Sequence, residues 1–172
     1  MPQCALVLMS IALNMPAAAT TPILKVVPSV DLDRYAGTWH EIARLPNRFQ
    51  RVCDHNTRAT YARRPDGRIT VTNECVRSDG KVERITGTAR VANRRGPNTK
   101  LKVTFFWPFY GNYWIIDLDP EYRWAVVGEP SRRYFWILAR EPKLAMDTVA
   151  AIIKRAQAQG YDLSTLRMDP GT

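Results

Sequence analysis

The side chains best suited to catalysis or metal binding are a few cysteines and histidines. Cys53 and His55 are two residues apart, a spacing that could pair a thiol nucleophile with a base. His40 and Glu41 begin like an H-E-x-x-H zinc motif, but Arg44 takes the place of the second histidine. The sequence has no G-x-S-x-G elbow and no glycine-rich phosphate loop. Because so little supports catalysis, we expect a protein that is not an enzyme.

Cys53 and Cys75 are candidates for a disulfide, because the third cysteine lies in a segment with the pattern of a removable leader. They are the only cysteines left if a leader containing Cys4 is removed on export. An even pair in an exported chain predicts a disulfide. Two free thiols, or a metal site that adds His55, are the alternatives. A zinc site needs about four ligands and the chain has only two histidines, so we predict no metal and no cofactor.

The first nineteen residues have the pattern of a signal peptide. Residues 4–13 are apolar or small, and three alanines at 17–19 offer an A-x-A cleavage site. The apolar run is too short to span a membrane, which takes about 20 residues. We therefore predict a signal peptide at 1–19, an N-terminal extension at 20–30 and one domain at 31–172. An apolar N-terminus that is retained is the alternative.

The net charge limits the classes of partner. The chain carries a formal charge of +9, which favours adsorption to anionic surfaces such as lipid head groups or nucleic acid. The arginines are scattered along alternating segments, and no nucleic-acid-binding motif accompanies them. We expect no nucleic-acid partner, and an anionic membrane surface becomes a candidate.

Short alternating or aromatic runs separated by turn-forming residues follow residue 30. Eight of them are predicted as strands: Gly37–Arg44, Asn56–Arg63, Arg68–Val76, Val82–Ala92, Thr99–Trp107, Asn112–Leu118, Arg123–Gly128 and Tyr134–Arg140. Their short connections suit consecutive antiparallel hairpins. The order predicts an all-β fold, an eight-stranded antiparallel up-and-down barrel that leaves no exposed edge.

One amphipathic helix is predicted after the strands, with Asp147 as its N-cap and Gly160 as its stop. Its apolar face consists of Val149, Ile152, Ile153 and Ala156. Residues 113–116 and 134–138 are apolar on both faces. We therefore predict that the helix packs on the outside of the barrel, over these two strands. This arrangement favours a soluble barrel over a transmembrane one, whose polar face would line the lumen.

Three segments carry a resemblance to the lipocalin family. Residues 35–49, YAGTWHEIARLPNRF, resemble its first Gly-x-Trp motif. Residues 117–122 resemble the second motif, with Leu118 where a threonine is usual, and 136–140 resemble the third, which ends in one arginine. The resemblance runs from about residue 30 to 168. The runs at 105–113 and 121–127 are similar to the bacterial branch related to apolipoprotein D.

The resemblance implies a carrier. It points to binding, storage or transport of a small hydrophobic ligand, a fatty acid or lysophospholipid, in membrane maintenance. It also implies an exported protein that is periplasmic or associated with the outer membrane. A carrier of haem or another pigment, a barrel that binds proteins and a lipocalin-fold enzyme are the alternatives, and a homodimer is left open.

The family pattern places Trp39 across the closed end of the barrel with Arg140 over its ring, as a structural plug rather than a ligand contact. Strand alternation from these two residues turns Glu41 and Ala43 inward, and a buried Glu41 needs a polar partner. Alternation from Arg140, and apolar alternation along the other strands, gives the lumen six candidate ligand contacts: Tyr61, Asn73, Phe105, Tyr113, Trp136 and Leu138. Plain barrel packing is the alternative for each of them.

The long first loop, residues 45–55, is expected to cover the mouth of the barrel. Arg48 and Arg51 in this loop are candidates for contact with an anionic head group. An exposed, solvated basic loop is the alternative interpretation.

Overall fold

The computed structural model describes residues 22–170. The predicted signal peptide at 1–19 lies outside these residues. Two helices are α1, Leu32–Tyr35, and α2, Met146–Ala158, and a 3-10 turn covers Arg48–Gln50. The strands are β1 Gly37–Arg44, β2 His55–Arg63, β3 Ile69–Val76, β4 Val82–Val91, β5 Lys100–Phe106, β6 Phe109–Leu118, β7 Trp124–Gly128, β8 Phe135–Ala139 and β9 Arg167–Met168.

The sheet closes on itself through β1. Each strand from β2 to β8 pairs antiparallel with the next one along the chain. The first half of β1 pairs with β2, where Trp39 lies opposite Ala59, and the second half pairs with β8, where Glu41 lies opposite Leu138. The predicted eight-stranded up-and-down barrel is confirmed, and the two-residue β9 is an addition to it.

Because the strands alternate in direction, the connections fall at two ends of the barrel. The closed end, where β1 begins, carries α1 and the connections 64–68, 92–99 and 119–123. The opposite end, which we call the mouth, carries the first loop, 45–54, and the connections 77–81, 107–108 and 129–134.

Helix α2 packs on the outside of the barrel, as predicted. Val149, Ile152 and Ala156 are buried in an outer cluster. Strand residues in this cluster are Ile42, Ala43, Ile116, Val126, Phe135, Ile137 and Ala139. β6 and β8 therefore lie beneath the helix, as predicted. β7 and the end of β1 also contribute to the surface on which the helix packs.

The predicted N-cap of α2 is wrong. The helix begins at Met146 after Ala145, which makes no side-chain capping bond, and Asp147 lies within the first turn. The aspartate still interacts favourably with the helix dipole from that position. Gly160 does follow the end of the helix, with a φ of +88° that a residue without Cβ adopts at no cost.

A bulge in β1 overturns one predicted orientation. The pairing with β8 shifts between Glu41 and Ala43, so one extra residue is accommodated there. Ala43 lies opposite Ile137 and joins the outer cluster, whereas simple alternation from Trp39 predicts an inward side chain. Arg44, opposite Trp136, is the residue that turns inward.

Both described ends of the chain pack against the barrel. Residues 22–30, expected as an extension, bury Leu24 in the outer cluster and Val30 in the inner one. The N–H of Val27 donates to the carbonyl of Ile115 at 3.1 Å. At the other end, the Asp169 carboxylate accepts from backbone N–H groups at the start of β2, and β9 thereby spans the gap where β1 and β2 separate.

Candidate functional site

The closed end is held by contacts around Trp39, which is fully buried. The Arg140 guanidinium lies 3.9 Å from the centre of the Trp39 ring, and the indole N–H donates to the Tyr35 carbonyl at 2.8 Å. Arg140 also donates to the carbonyls of Thr38 at 3.0 Å and Arg34 at 2.5 Å. This geometry has the form of the expected plug, whose role stays a prediction.

The backbone conformation and the surroundings of Gly37 explain why the first motif begins with glycine. Its φ is +97°, and a Cβ there would lie 3.2 Å from Nη1 of Arg140. A side chain at this position would be strained and would press on the guanidinium. The second motif also reaches the closed end, because the Tyr122 hydroxyl accepts from the Asp31 N–H at 2.8 Å.

The inner face of the barrel above the plug is apolar. Five of the six predicted lumen residues belong to the inner cluster: Tyr61, Phe105, Tyr113, Trp136 and Leu138. The sixth, Asn73, is half-buried on the same face of β3 as the buried Val71. The structure therefore brings these side chains together, and their contact with a ligand remains a prediction.

Three tyrosines form the floor of the lumen. The Tyr113 hydroxyl lies 2.8 Å from that of Tyr35 and 2.9 Å from that of Tyr61. An apolar cavity of about 10 Å³ lies beside them, room for roughly one water molecule. Sequence analysis missed Tyr35 because it precedes β1, where strand alternation gives no orientation.

A buried polar network crosses the mouth. Glu41, which is 5% exposed, accepts a very short hydrogen bond from Arg44 and another from Nε2 of Gln50 at 2.7 Å. Oε1 of Gln50 accepts from the Trp136 indole N–H at 2.9 Å. Arg44 is the kind of polar partner that a buried Glu41 was expected to need. Gln50, which sequence analysis did not single out, ties the first loop to two walls of the barrel.

Burial dominates the charge state of this network. It raises the pKa of Glu41, and the ion pair with Arg44 and the hydrogen bond from Gln50 only partly oppose it. A raised carboxyl pKa means that the surroundings of Glu41 disfavour its charged form.

Beside this network lies a second cavity of about 350 Å³, which we call the arginine pocket. Its lining is formed by Arg44, Pro46, Asn47, Arg48, Gln50, Arg51, Cys53 and Arg167. Within residues 22–170 no carboxylate lines it, and Arg48, Arg51 and Arg167 have no ion-pair partner. The predicted mouth arginines thus meet two more, Arg44 and Arg167, in one concave site suited to an anion.

The predicted disulfide between Cys53 and Cys75 is confirmed. It fastens the end of the first loop to β3, and it leaves neither sulfur free as a nucleophile or a metal ligand. His55 instead lies 3.0 Å from the Asp54 carboxylate. Among the described residues, no three His, Cys, Asp or Glu side chains form a group able to hold a metal ion.

Exposed apolar side chains surround the mouth. Trp107 is 81% exposed and Phe109 77% exposed at the tip of the β5–β6 hairpin. The other members of this apolar rim are Phe49, Val52, Val82 and Phe106. Tyr110 adds a polar aromatic group beside them.

Comparison with known proteins decides the family. A profile described as a lipocalin-like domain matches residues 30–171. The chain belongs to the lipocalin family. Lipocalins bind small hydrophobic ligands, and the resemblance carried by the three sequence motifs is confirmed.

Several lipocalins with established names are similar over most of the chain. Temperature-induced lipocalin-1 of Arabidopsis thaliana is 40% identical over 154 residues, 86% of this chain and 82% of that protein. Outer membrane lipoprotein Blc of Escherichia coli is 42% identical over 142 residues, 81% of this chain and 78% of that protein. Apolipoprotein D of Bos taurus is 33% identical over 133 residues, 72% and 68% of the two chains.

Solved lipocalin structures share the fold. Insecticyanin from the tobacco hornworm Manduca sexta superposes with a TM-score of 0.72 at 23% identity, covering 88% of this chain and 86% of that one. Rat epididymal lipocalin 12 gives a TM-score of 0.66 at 17% identity, covering 90% and 94%. Within residues 22–170, no helix has the length and apolar character needed to cross a membrane.

Proposed function

We propose that this lipocalin binds a fatty acid or a lysophospholipid, with the acyl chain in the lumen and the anionic head group in the arginine pocket. One observation carries the proposal: the apolar inner face of the barrel gives way at the mouth to four arginine side chains. Acyl burial contributes roughly 0.8 kcal/mol per methylene. Guanidinium groups form paired hydrogen bonds with carboxylate or phosphate oxygens.

Side chains almost fill the lower lumen, so acyl binding requires some of them to move. The floor cavity measures only about 10 Å³, so an acyl chain that enters the lumen must displace side chains. Phe105 and Trp136 are half-buried, and Gln50 joins Trp136 to the first loop. Ligand entry therefore requires Gln50 to release Trp136 and the first loop to move outward.

The mouth also supports contact with an anionic membrane surface. Its apolar rim would enter the interfacial region of a bilayer, while the arginines would meet anionic head groups. A relative named an outer membrane lipoprotein supports an exported protein, located in the periplasm or at the outer membrane. In this arrangement a lipid passes between the bilayer and the lumen without crossing water.

The direct test is a binding titration with hexadecanoic acid and with a lysophosphatidylglycerol. An Arg48→Gln/Arg51→Gln variant should bind either ligand about fivefold more weakly, because the two contacts that are lost come from exposed guanidinium groups whose charge is screened by solvent. The matched control is Arg94→Gln/Arg95→Gln, which removes the same charge from the exposed closed-end connection. Equal losses in the two variants would contradict a head-group site in the arginine pocket.

The small floor cavity favours a second candidate, a filled barrel that acts through its outer surface on a protein partner. Native mass spectrometry separates the two candidates. A co-purified acyl ligand supports the carrier, whereas a mass equal to that of the bare chain and no saturable lipid binding support the interaction barrel.

A further inference from the structure

On the floor of the lumen, the hydroxyl donors outnumber the hydrogen bonds that they make with one another. Each phenol has one O–H donor, and the three hydroxyls of Tyr35, Tyr113 and Tyr61 make two contacts with one another. Three donors therefore share two hydrogen bonds. At least one O–H has no acceptor within the group.

Outside the three tyrosines, no described side chain that lines the floor cavity accepts a hydrogen bond from that donor. Apart from the three tyrosines, the described side chains that line the floor cavity are aliphatic: Leu32, Ile69, Val71, Ala89, Leu101 and Val103. A buried hydroxyl without a partner is unfavourable. A cavity of about 10 Å³ has room for one oxygen-sized group, so the floor is suited to a single acceptor atom.

The protonation state of the phenols narrows the class of acceptor. Burial raises the pKa of Tyr61 to about 12 and raises the pKa values of Tyr35 and Tyr113 well above their usual range. All three hydroxyls are therefore neutral donors at physiological pH. An ionised carboxylate would lose its hydration on this floor, and no cation is among the described side chains that line the cavity. A hydroxyl or ketone oxygen is neutral and accepts a hydrogen bond.

We propose that Tyr35, Tyr61 and Tyr113 form a deep oxygen site, which binds a neutral acceptor oxygen at the buried end of an otherwise apolar ligand. This inference rests on the proposed function, since the ligand must enter with its anionic head at the arginine pocket. The ligand class is a long-chain acid that carries a hydroxyl or keto group near its far end.

Titration of the whole protein with hexadecanoic acid and 16-hydroxyhexadecanoic acid tests the site. The variant is Tyr35→Phe/Tyr61→Phe/Tyr113→Phe, which removes every floor hydroxyl. The dissociation constant of the hydroxy acid, divided by that of the plain acid, should be about tenfold lower in the wild type than in this variant. Tyr110→Phe, at the exposed rim, should keep the wild-type ratio.

A position series in the wild type avoids dependence on the folding of the triple variant. Hexadecanoic acids with the hydroxyl at carbon 8, 12 or 16 should bind more tightly as the hydroxyl approaches the far end. Equal affinities across the series, or equal ratios in wild type and triple variant, would overturn the deep oxygen site while leaving acyl binding intact. Failure of plain hexadecanoic acid to bind would overturn the carrier function itself, and the site with it.

Discussion

The guanidinium of Arg140 lies 3.9 Å from the centre of the Trp39 ring, although the two residues are about a hundred positions apart in the chain. Trp39 lies near the start of β1, and Arg140 directly follows β8, the last strand of the barrel. The stacked pair therefore joins the two strands whose pairing closes the sheet. The hydrogen bonds of Arg140 to the Thr38 and Arg34 carbonyls add α1 to the same junction.

Truncation of this pair should cost substantial stability. Trp39→Ala removes a fully buried indole, and we expect a loss of 3–5 kcal/mol, roughly the range for large core truncations. Denaturant unfolding measures it. The matched control is Trp107→Ala at the exposed rim, which should change stability by no more than about 0.5 kcal/mol. Similar losses in both variants would contradict a plug role for Trp39.

Gly128 should not tolerate a side chain. An added Cβ would overlap the Tyr161 hydroxyl, which accepts from the Glu129 N–H at 3.0 Å. We expect Gly128→Ala to lower the free energy of unfolding by about 1–3 kcal/mol through overpacking. In Gly111→Ala the new methyl would meet Val103 at an ordinary 3.8 Å, so a loss as large in this control would show that overlap with Tyr161 is not the cause.

Alkaline pH should destabilise the fold through its buried phenols. Burial raises the pKa of Tyr61 from 10.0 to about 12, so its contribution to stability is complete below pH 10 and is lost as the pH rises through about 12. Such a change corresponds to about 3 kcal/mol. Unfolding of Tyr61→Phe should therefore depend less on pH between 10 and 12 than unfolding of the wild type. The exposed-rim variant Tyr110→Phe should follow the wild type, and identical pH profiles for all three proteins would contradict the prediction.

The disulfide should stabilise the fold by restricting the unfolded chain. Cys53 and Cys75 are 22 residues apart, and closing a loop of that length contributes about 3 kcal/mol in the chain-entropy model. Cys53→Ala/Cys75→Ala should lose this amount in denaturant unfolding, and its first loop should be cleaved faster by proteases. The reduced wild type is the control and should match the variant; a difference of several kcal/mol between them would mean that the substitutions also disturb packing.

The apolar rim should support membrane binding. Trp107→Ser/Phe109→Ser removes two largely exposed aromatic groups, and we expect binding to phosphatidylglycerol vesicles to weaken about tenfold in a sedimentation assay. Met146→Ser, which removes an exposed apolar side chain at the start of α2, should bind like the wild type. Equal binding of all three proteins would exclude the rim as the contact surface.

Regular alternation allowed the fold and most inward-facing residues to be predicted. Each strand from β2 to β8 is one predicted run, with boundaries that differ by at most three residues, because a closed barrel fixes an apolar inner face along every strand. The orientation of Ala43 could not be predicted, since a bulge is set by pairing with β8 and leaves no mark in local periodicity.

The candidate site was only partly predictable for a similar reason. Arg48 and Arg51 were accessible to sequence analysis because they lie in one basic loop, whereas Arg167 reaches the same pocket from the far end of the chain. Gln50 acquires its role only through contact with Glu41 and Trp136. Such convergence depends on tertiary structure, and residue type and spacing do not encode it locally.

The packing of residues 22–30 bears on how the protein can be shortened. The family match starts at Val30, so a truncation at that boundary would remove Leu24 from the outer cluster. It would also deprive the Ile115 carbonyl of the N–H of Val27 and open the side of β6 next to the start of β5. We therefore expect a fragment that begins at residue 30 to be less stable than one that begins at residue 22, because it lacks both contacts.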